Sequence, residues 1–137
     1  HGHLIKNLAI QSLKKNPKVK IFGNNYKTKD GTCVRDYIHV TDLAQMHIKC
    51  LKFLEKHKKS ITLNCGYGKG YSVNEIVRIF KMIKKNVSVT YCERRPGDIA
   101  QVFANVKKFQ KIIKFRPKYN NVKKILISAI KWEKKLI

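Results

Sequence analysis

Apolar residues recur along this chain in two rhythms, one near 3.6 and one of 2, and the switches between them predict alternating helices and strands. Leu4, Leu8 and the apolar positions of residues 10–13 predict a first helix, closed by Asn16-Pro17. Residues 19–22 alternate as a short strand and lead into a polar loop over 23–32. A second strand is predicted over 36–40, where the pattern is alternating and β-branched. From Asp42 the spacing turns helical, with Leu43, Met46, His47, Cys50, Leu51 and Leu54 at i, i+3, i+4, i+7. Residues 61–65 predict another strand, and Gly66, Gly68 and Gly70 a loose turn.

Ser72-Val73-Asn74-Glu75 has capping-box spacing, so a helix is predicted there with Val73, Ile76, Phe80 and Ile83 facing inward. A strand over 87–91 and a loop over 93–98 follow, then a short helix over 106–113 after the candidate cap Asn105. The last helix is predicted from about residue 122 to 135, burying Ile125, Ala129 and Trp132. The fold class is α/β, a single domain over 1–137 without internal repeats.

Composition narrows the picture. A chain of 137 residues with 43% apolar content can bury a modest core and is not disordered by composition. The formal charge of +23 invites a nucleic-acid or anionic-surface reading. Yet only Arg35, Arg78, Arg94, Arg95 and Arg116 are arginines, and the lysines are spread over nearly every predicted helix. Solvated lysine surface is therefore the expectation, with no specific nucleic acid and no membrane as partner. Aromatic residues are few and form no stacking platform for single strands.

The cysteines Cys33, Cys50, Cys65 and Cys92 lie far apart with no C-x-x-C pair, as in a reduced cytoplasmic protein rather than a disulfide framework or zinc site. His1 and His3 lack a second ligand cluster, so no metal is expected. No apolar run approaches the roughly 20 residues of a membrane span. The chain opens on His-Gly-His and is expected to be a piece of something longer.

Two short stretches carry the chemistry. Arg35 follows the glycine turn Asp30-Gly31-Thr32, and Arg95 stands in the Pro/Gly-braced loop Glu93-Arg94-Arg95-Pro96-Gly97-Asp98. Guanidinium forks match phosphate oxygens and stay charged at any working pH. Asp98 could accept from a ribose diol or pair with either arginine, so diphosphate binding and plain surface ion pairing both remain open on the residues alone. Gly66-Tyr67-Gly68-Lys69-Gly70-Tyr71-Ser72 is neither G-x-G-x-x-G nor a Walker loop, and reads as a turn. His39 and His47 lack partners at a telling spacing and read as structural.

Residues 20–44, 63–73 and 93–98, taken in order, resemble the C-terminal part of the UDP-glucose 4-epimerases, extended short-chain dehydrogenase/reductases of galactose metabolism. The likeness covers essentially all 137 residues, and the Asp-Gly-Thr lead-in to Arg35-Asp36 is its specific element. It implies the substrate-binding part of an NAD(P)-binding Rossmann-type enzyme whose Rossmann core is missing from this chain. By position it assigns His3 and Leu4 to the uridine diphosphate pocket and Lys20, Ile21 and Phe22 to the uracil. It assigns Arg35 and Arg95 to the diphosphate, with Pro96 and Gly97 completing the loop, Asp98 to the ribose, and Val102 to the border of the hexose.

The family's reaction interconverts UDP-glucose and UDP-galactose through a 4-keto intermediate with tightly held NAD, and full-length members are expected as homodimers. The resemblance places no catalytic and no NAD-binding residue here. The glycine-rich fingerprint is absent, and no Tyr-x-x-x-Lys sits in a suitable context. Phe115 stands where tryptophan is common, and Lys114 where glycine is. Alternatives are a fragment of another nucleotide-sugar epimerase or dehydratase, and a basic module for RNA or anionic surfaces.

Overall fold

The helices follow the sequence signals, and those starting at Val40, Val73 and Val122 carry side-chain caps at their starts. In the computed structural model, which describes residues 3–137, α1 is Leu4–Ser12, α2 Val40–His57, α3 Val73–Ile83, α4 Lys107–Ile113 and α5 Val122–Lys134. The capping box of α3 is complete: the Ser72 hydroxyl accepts from the Glu75 amide, and the Glu75 carboxylate accepts from the Ser72 amide. Asn121 caps α5 by accepting from the Lys124 amide, and Asn105 accepts from the Lys107 amide at the start of α4.

One boundary moves for a visible reason. The predicted strand over 36–40 is displaced, because His39 caps α2: its Nδ1 accepts from the Thr41 amide at 3.1 Å. Val40 therefore enters the helix two residues before Asp42, and the strand contracts to β2, Val34–Asp36.

The remaining strands are β1 (Lys18–Phe22), β3 (Gly70–Ser72), β4 (Ser88–Cys92) and β5 (Gln101–Val102). β1 and β4 pair in parallel, from Lys18 opposite Ser88 to Phe22 opposite Cys92. β2 is central in a second sheet, antiparallel to β3 and parallel to β5, with Arg35 opposite Tyr71 on one side and Val102 on the other. The expected strand over 61–65 forms no ladder among the described residues. Its burial still alternates, with Leu63 and Cys65 packed against the core and Thr62 and Asn64 outside.

Two cores hold these pieces. Leu8 and Ala9 of α1, Val19 and Ile21 of β1, Ile76, Val77 and Phe80 of α3, and Val122, Leu126 and Ile130 of α5 make the larger one. Truncating the fully buried Phe80 there should cost about 3–5 kcal/mol. Met46, Phe109 and Phe115 make the smaller one, with the two phenylalanine rings edge to face at 6.4 Å. Phe115, which stands where tryptophan is common, is thus a core residue. Trp132, expected inside, is 61% exposed. The buried stripe of α5 runs through Val122, Ile125, Leu126 and Ile130; Trp132, seven residues after Ile125, is in phase with the edge of that stripe but lies in the last turn of the helix, beyond the last buried residue.

The topology positions the site. Parallel β1 and β4 end together at Phe22 and Cys92, so the loops after both leave from one edge. The carboxyl ends of parallel strands are where open α/β sheets place ligands.

Candidate functional site: a basic cleft at the ends of the parallel strands

The loop after β4 is shaped by a tight turn. The Asp98 amide donates to the Arg95 carbonyl at 3.2 Å, Pro96 fills the second position and Gly97 the third with φ +81°. Pro then Gly with positive φ is the pattern of a type II turn, in which only glycine or asparagine sits easily at the third position. Arg95 and Asp98, the ends of the turn, are thereby brought side by side. The Arg95 guanidinium lies 3.8 Å from the centre of the Phe22 ring, at the end of β1. That contact narrows the freedom of a side chain that would otherwise wander in solvent.

Arg35 arrives from the other sheet. Its Nη2 is 3.8 Å from Asp98 Oδ1 and its Nη1 donates to the Val34 carbonyl at 2.8 Å. Among the described residues this is the one ion pair within 4.0 Å. Both side chains are about a third exposed (31% and 35%), so the pair is worth at most about 1 kcal/mol. An incoming anion would displace it at little cost.

A cavity of about 480 Å³ opens beside this cluster, lined among others by Leu4, Lys20, Phe22, Arg95 and Asp98. Lys18, Lys20 and Phe22 alternate along β1 and all face it, while Cys33 and Val73 form part of its wall. A second, shallower concavity is lined by Arg35 and Val102. The Arg35–Asp98 pair stands between the two.

The structure thus places Leu4, Lys20, Phe22, Arg95 and Asp98 around one cavity and Arg35 and Val102 around its neighbour, with the Arg35–Asp98 pair joining the two. Ile21 is a correction: its side chain is 1% exposed and belongs to the larger core, so only its backbone could meet a ligand. His3 is exposed, precedes α1 without capping it and does not line the cavity. His1 lies outside the described residues. Pro96 and Gly97 act through the turn. Sequence reasoning missed Asn7, Gln11 and Lys18 as lining residues, and alternation from Phe22 back along β1 was the available signal for Lys18.

The acidic residues of the glycine turn prove architectural. Asp30 Oδ1 accepts from the Thr32 amide (3.0 Å) and hydroxyl (2.7 Å), and Oδ2 from the Ser72 hydroxyl at 2.5 Å. Ser72 in turn caps α3, so one carboxylate ties the loop before β2 to a helix start. Gly31 allows the loop to close: it has φ +75°, and a Cβ there would lie 2.0 Å from the Asn24 carbonyl oxygen. Asp42, 1% exposed, accepts from the Tyr67 hydroxyl (2.5 Å) and from the Lys118 (3.1 Å) and Tyr119 (2.8 Å) amides. Burial pushes both carboxyls up, but these hydrogen bonds outweigh it and hold them below the usual aspartate range. His39, also buried, stacks on Tyr119 at 4.3 Å.

The glycine run offers no cradle for a dinucleotide. A Cβ on Gly68 would lie 2.7 Å from Val106 and one on Gly70 2.5 Å from Val34, so protein side chains already fill that space. Gly70 opens a strand rather than a helix. Tyr119 and Lys123 have Tyr-x-x-x-Lys spacing, but Tyr119 precedes the Asn121 cap while Lys123 lies in α5, so they do not share a helix face. The described residues therefore do not fit NAD, and they supply none of its chemistry.

Comparison with known proteins gives the chain its relatives. Residues 1–66 match the NAD dependent epimerase/dehydratase family. The UDP-glucose 4-epimerase of Azospirillum brasilense is 42% identical over 135 residues, covering 98% of this chain and 39% of that protein. UDP-arabinose 4-epimerase 1 of Arabidopsis thaliana is 42% identical over 119 residues, 86% of this chain and 28% of that protein. A UDP-glucose 4-epimerase from Stenotrophomonas maltophila, solved with bound NAD and formylated UDP-arabinopyranose, superposes with a TM-score of 0.91 at 34% identity, over 99% of this chain and 40% of its own. In sequence and fold the chain is similar to the C-terminal part of the UDP-sugar 4-epimerases. The chain spans about two-fifths of the length of the UDP-glucose 4-epimerases it matches.

Proposed function

We propose that residues 1–137 form the UDP-sugar-binding part of a UDP-glucose 4-epimerase, an isomerase acting on UDP-glucose and UDP-galactose. The observation that carries this is the convergence of Arg35, Arg95 and Asp98 at the mouth of a cavity walled by Leu4, Lys20 and Phe22. Arg95, pre-set on Phe22, and Arg35, freed from Asp98, would grip a diphosphate from two sides. Asp98, released from Arg35, becomes an acceptor for a ribose hydroxyl, and the nucleobase would lie along Lys20–Phe22. The sugar would then extend toward Val102, which is 48% exposed and offers no polar group. Such a site holds the nucleotide firmly and the sugar loosely, as a reaction that presents both faces of one carbon requires. Redox chemistry at that carbon belongs to NAD bound by residues outside this chain.

The direct test is thermal protection. UDP and UDP-galactose should raise the melting temperature of the chain, Arg35→Ala should abolish the rise, and the chain with NAD and UDP-galactose should give no turnover. Absence of protection, or measurable epimerisation, would contradict the proposal. A UDP-pentose is the second reading, favoured by the UDP-arabinose 4-epimerase relative; protection by UDP-arabinose exceeding that by UDP-galactose would select it.

A further inference from the structure

Arg95 is not the only arginine of its loop that lies on an aromatic ring. Its neighbour Arg94 covers Tyr26, with the guanidinium carbon 4.1 Å from the ring centre. Arg94 Nε also donates to Asn25 Oδ1 at 2.6 Å, and its Nη2 donates to the Asn25 carbonyl. Tyr26 is 7% exposed, so the plate under Arg94 is fixed in the protein. Gly23 makes the approach possible, because a Cβ there would lie 2.3 Å from Tyr26 Cε2 and 2.8 Å from Arg94 Cγ. The Gly23 amide donates to the Cys92 carbonyl at 2.8 Å, carrying the β1–β4 pairing one residue beyond the strand ends.

Successive arginines are thus locked on opposite partners, Arg94 on the 23–26 loop and Arg95 on Phe22. A loop residue whose neighbour is held by a stack and two hydrogen bonds has little backbone freedom left. Arg94 does not line the main cavity. We propose that Arg94 is a positioning residue: latched to Asn25 and Tyr26, it sets the loop so that Arg95 meets the diphosphate pre-formed. This rests on the UDP-binding reading above. The site then has a second requirement, an intact 23–26 loop, that no ligand contact would reveal.

The test compares affinities for UDP and uridine by calorimetry, at a temperature where every variant is folded. The ratio of the two constants isolates the diphosphate. Arg94→Ala should lower UDP affinity about tenfold and leave uridine affinity unchanged. Arg94→Lys, which keeps the charge but loses the planar fork, should fall between. In an Arg95→Ala background, Arg94→Ala should have no further effect, because it acts through Arg95. A merely structural role would lower the melting temperature without moving the UDP-to-uridine ratio, and that result overturns the inference. An equal loss in both backgrounds overturns it too. If the unmodified chain binds UDP no better than uridine, the site reading itself fails and the inference falls with it; if Arg95→Ala removes the preference and Arg94→Ala does not, only the inference falls.

Discussion

Removing the Asp42 carboxylate probes how the motif that names the family is built. Asp42 is buried at the start of α2 and takes three donors, one of them a phenol at 2.5 Å. A hydrogen bond to a charged acceptor contributes about 1.5–3 kcal/mol, and an abandoned donor costs more when water cannot reach it. The Lys118 and Tyr119 residues are exposed, so their amides can recover water, whereas the Tyr67 hydroxyl is partly enclosed. Asp42→Ala should therefore cost about 3–4 kcal/mol, less than three full bonds. Asp42→Asn keeps one oxygen for the amides and should cost about 2 kcal/mol.

The sign of the pH dependence follows from the lowered folded pKa. The carboxylate's contribution is present above the unfolded value of about 3.9 and is lost as pH falls through the lower folded value. Urea denaturation at pH 7 and near pH 3 measures it. The gap between the unmodified chain and Asp42→Asn should be full at pH 7 and shrink toward pH 3. A gap under about 0.5 kcal/mol at pH 7, the scatter of ordinary surface substitutions, would refute the reasoning, as would a gap independent of pH.

Other outcomes follow from single residues. Gly97→Ala forces a side chain into φ +81° with open space around it, so the loss comes from backbone strain of about 1–2 kcal/mol; the melting temperature should drop by a few degrees and thermal protection by UDP should fall with it. Lys114 ends α4 at φ 50°, where the sequence resemblance expects glycine; Lys114→Gly should stabilise by about 1 kcal/mol and raise the melting temperature by a few degrees, read by calorimetry. Asp30→Asn cuts the tie between the glycine turn and the α3 cap and should cost about 2 kcal/mol at pH 7, with the deficit shrinking in acid for the reason given for Asp42.

Much of this was legible in the chain because it is local. The capping box at Ser72–Glu75, the Asn105 and Asn121 ends of α4 and α5, and the 3.6-residue stripes each need only a few neighbouring residues to be read. β2, β3 and β5 span three, three and two residues, too short for any alternation to show, and they exist only because each finds a partner from elsewhere in the chain. Residues 61–65 show the converse, a strand-like alternation that no partner completes. Trp132 failed on position along the helix: it is in phase with Ile125 but sits in the last turn of α5, past the last buried residue.

For the site, arginine in a lysine-rich chain pointed to Arg35 and Arg95, which the fold brings to the two sides of Asp98. The roles of Asp30 and Asp42 could not be read, since their partners lie 42 residues away at Ser72 and 76–77 away at Lys118 and Tyr119. The same holds for Arg94, whose partner Asn25 is 69 residues distant.

The central claim is that Arg35 and Arg95 hold a diphosphate, with Asp98 beside them on the ribose. Calorimetric titration of the chain with UDP and with uridine tests it most directly. The account predicts one UDP bound per chain, a clear preference for UDP over uridine, and loss of about 10–100-fold in UDP affinity on Arg95→Ala, the worth of one arginine–phosphate contact. Equal affinity for UDP and uridine, or a UDP affinity untouched by Arg95→Ala, would contradict it.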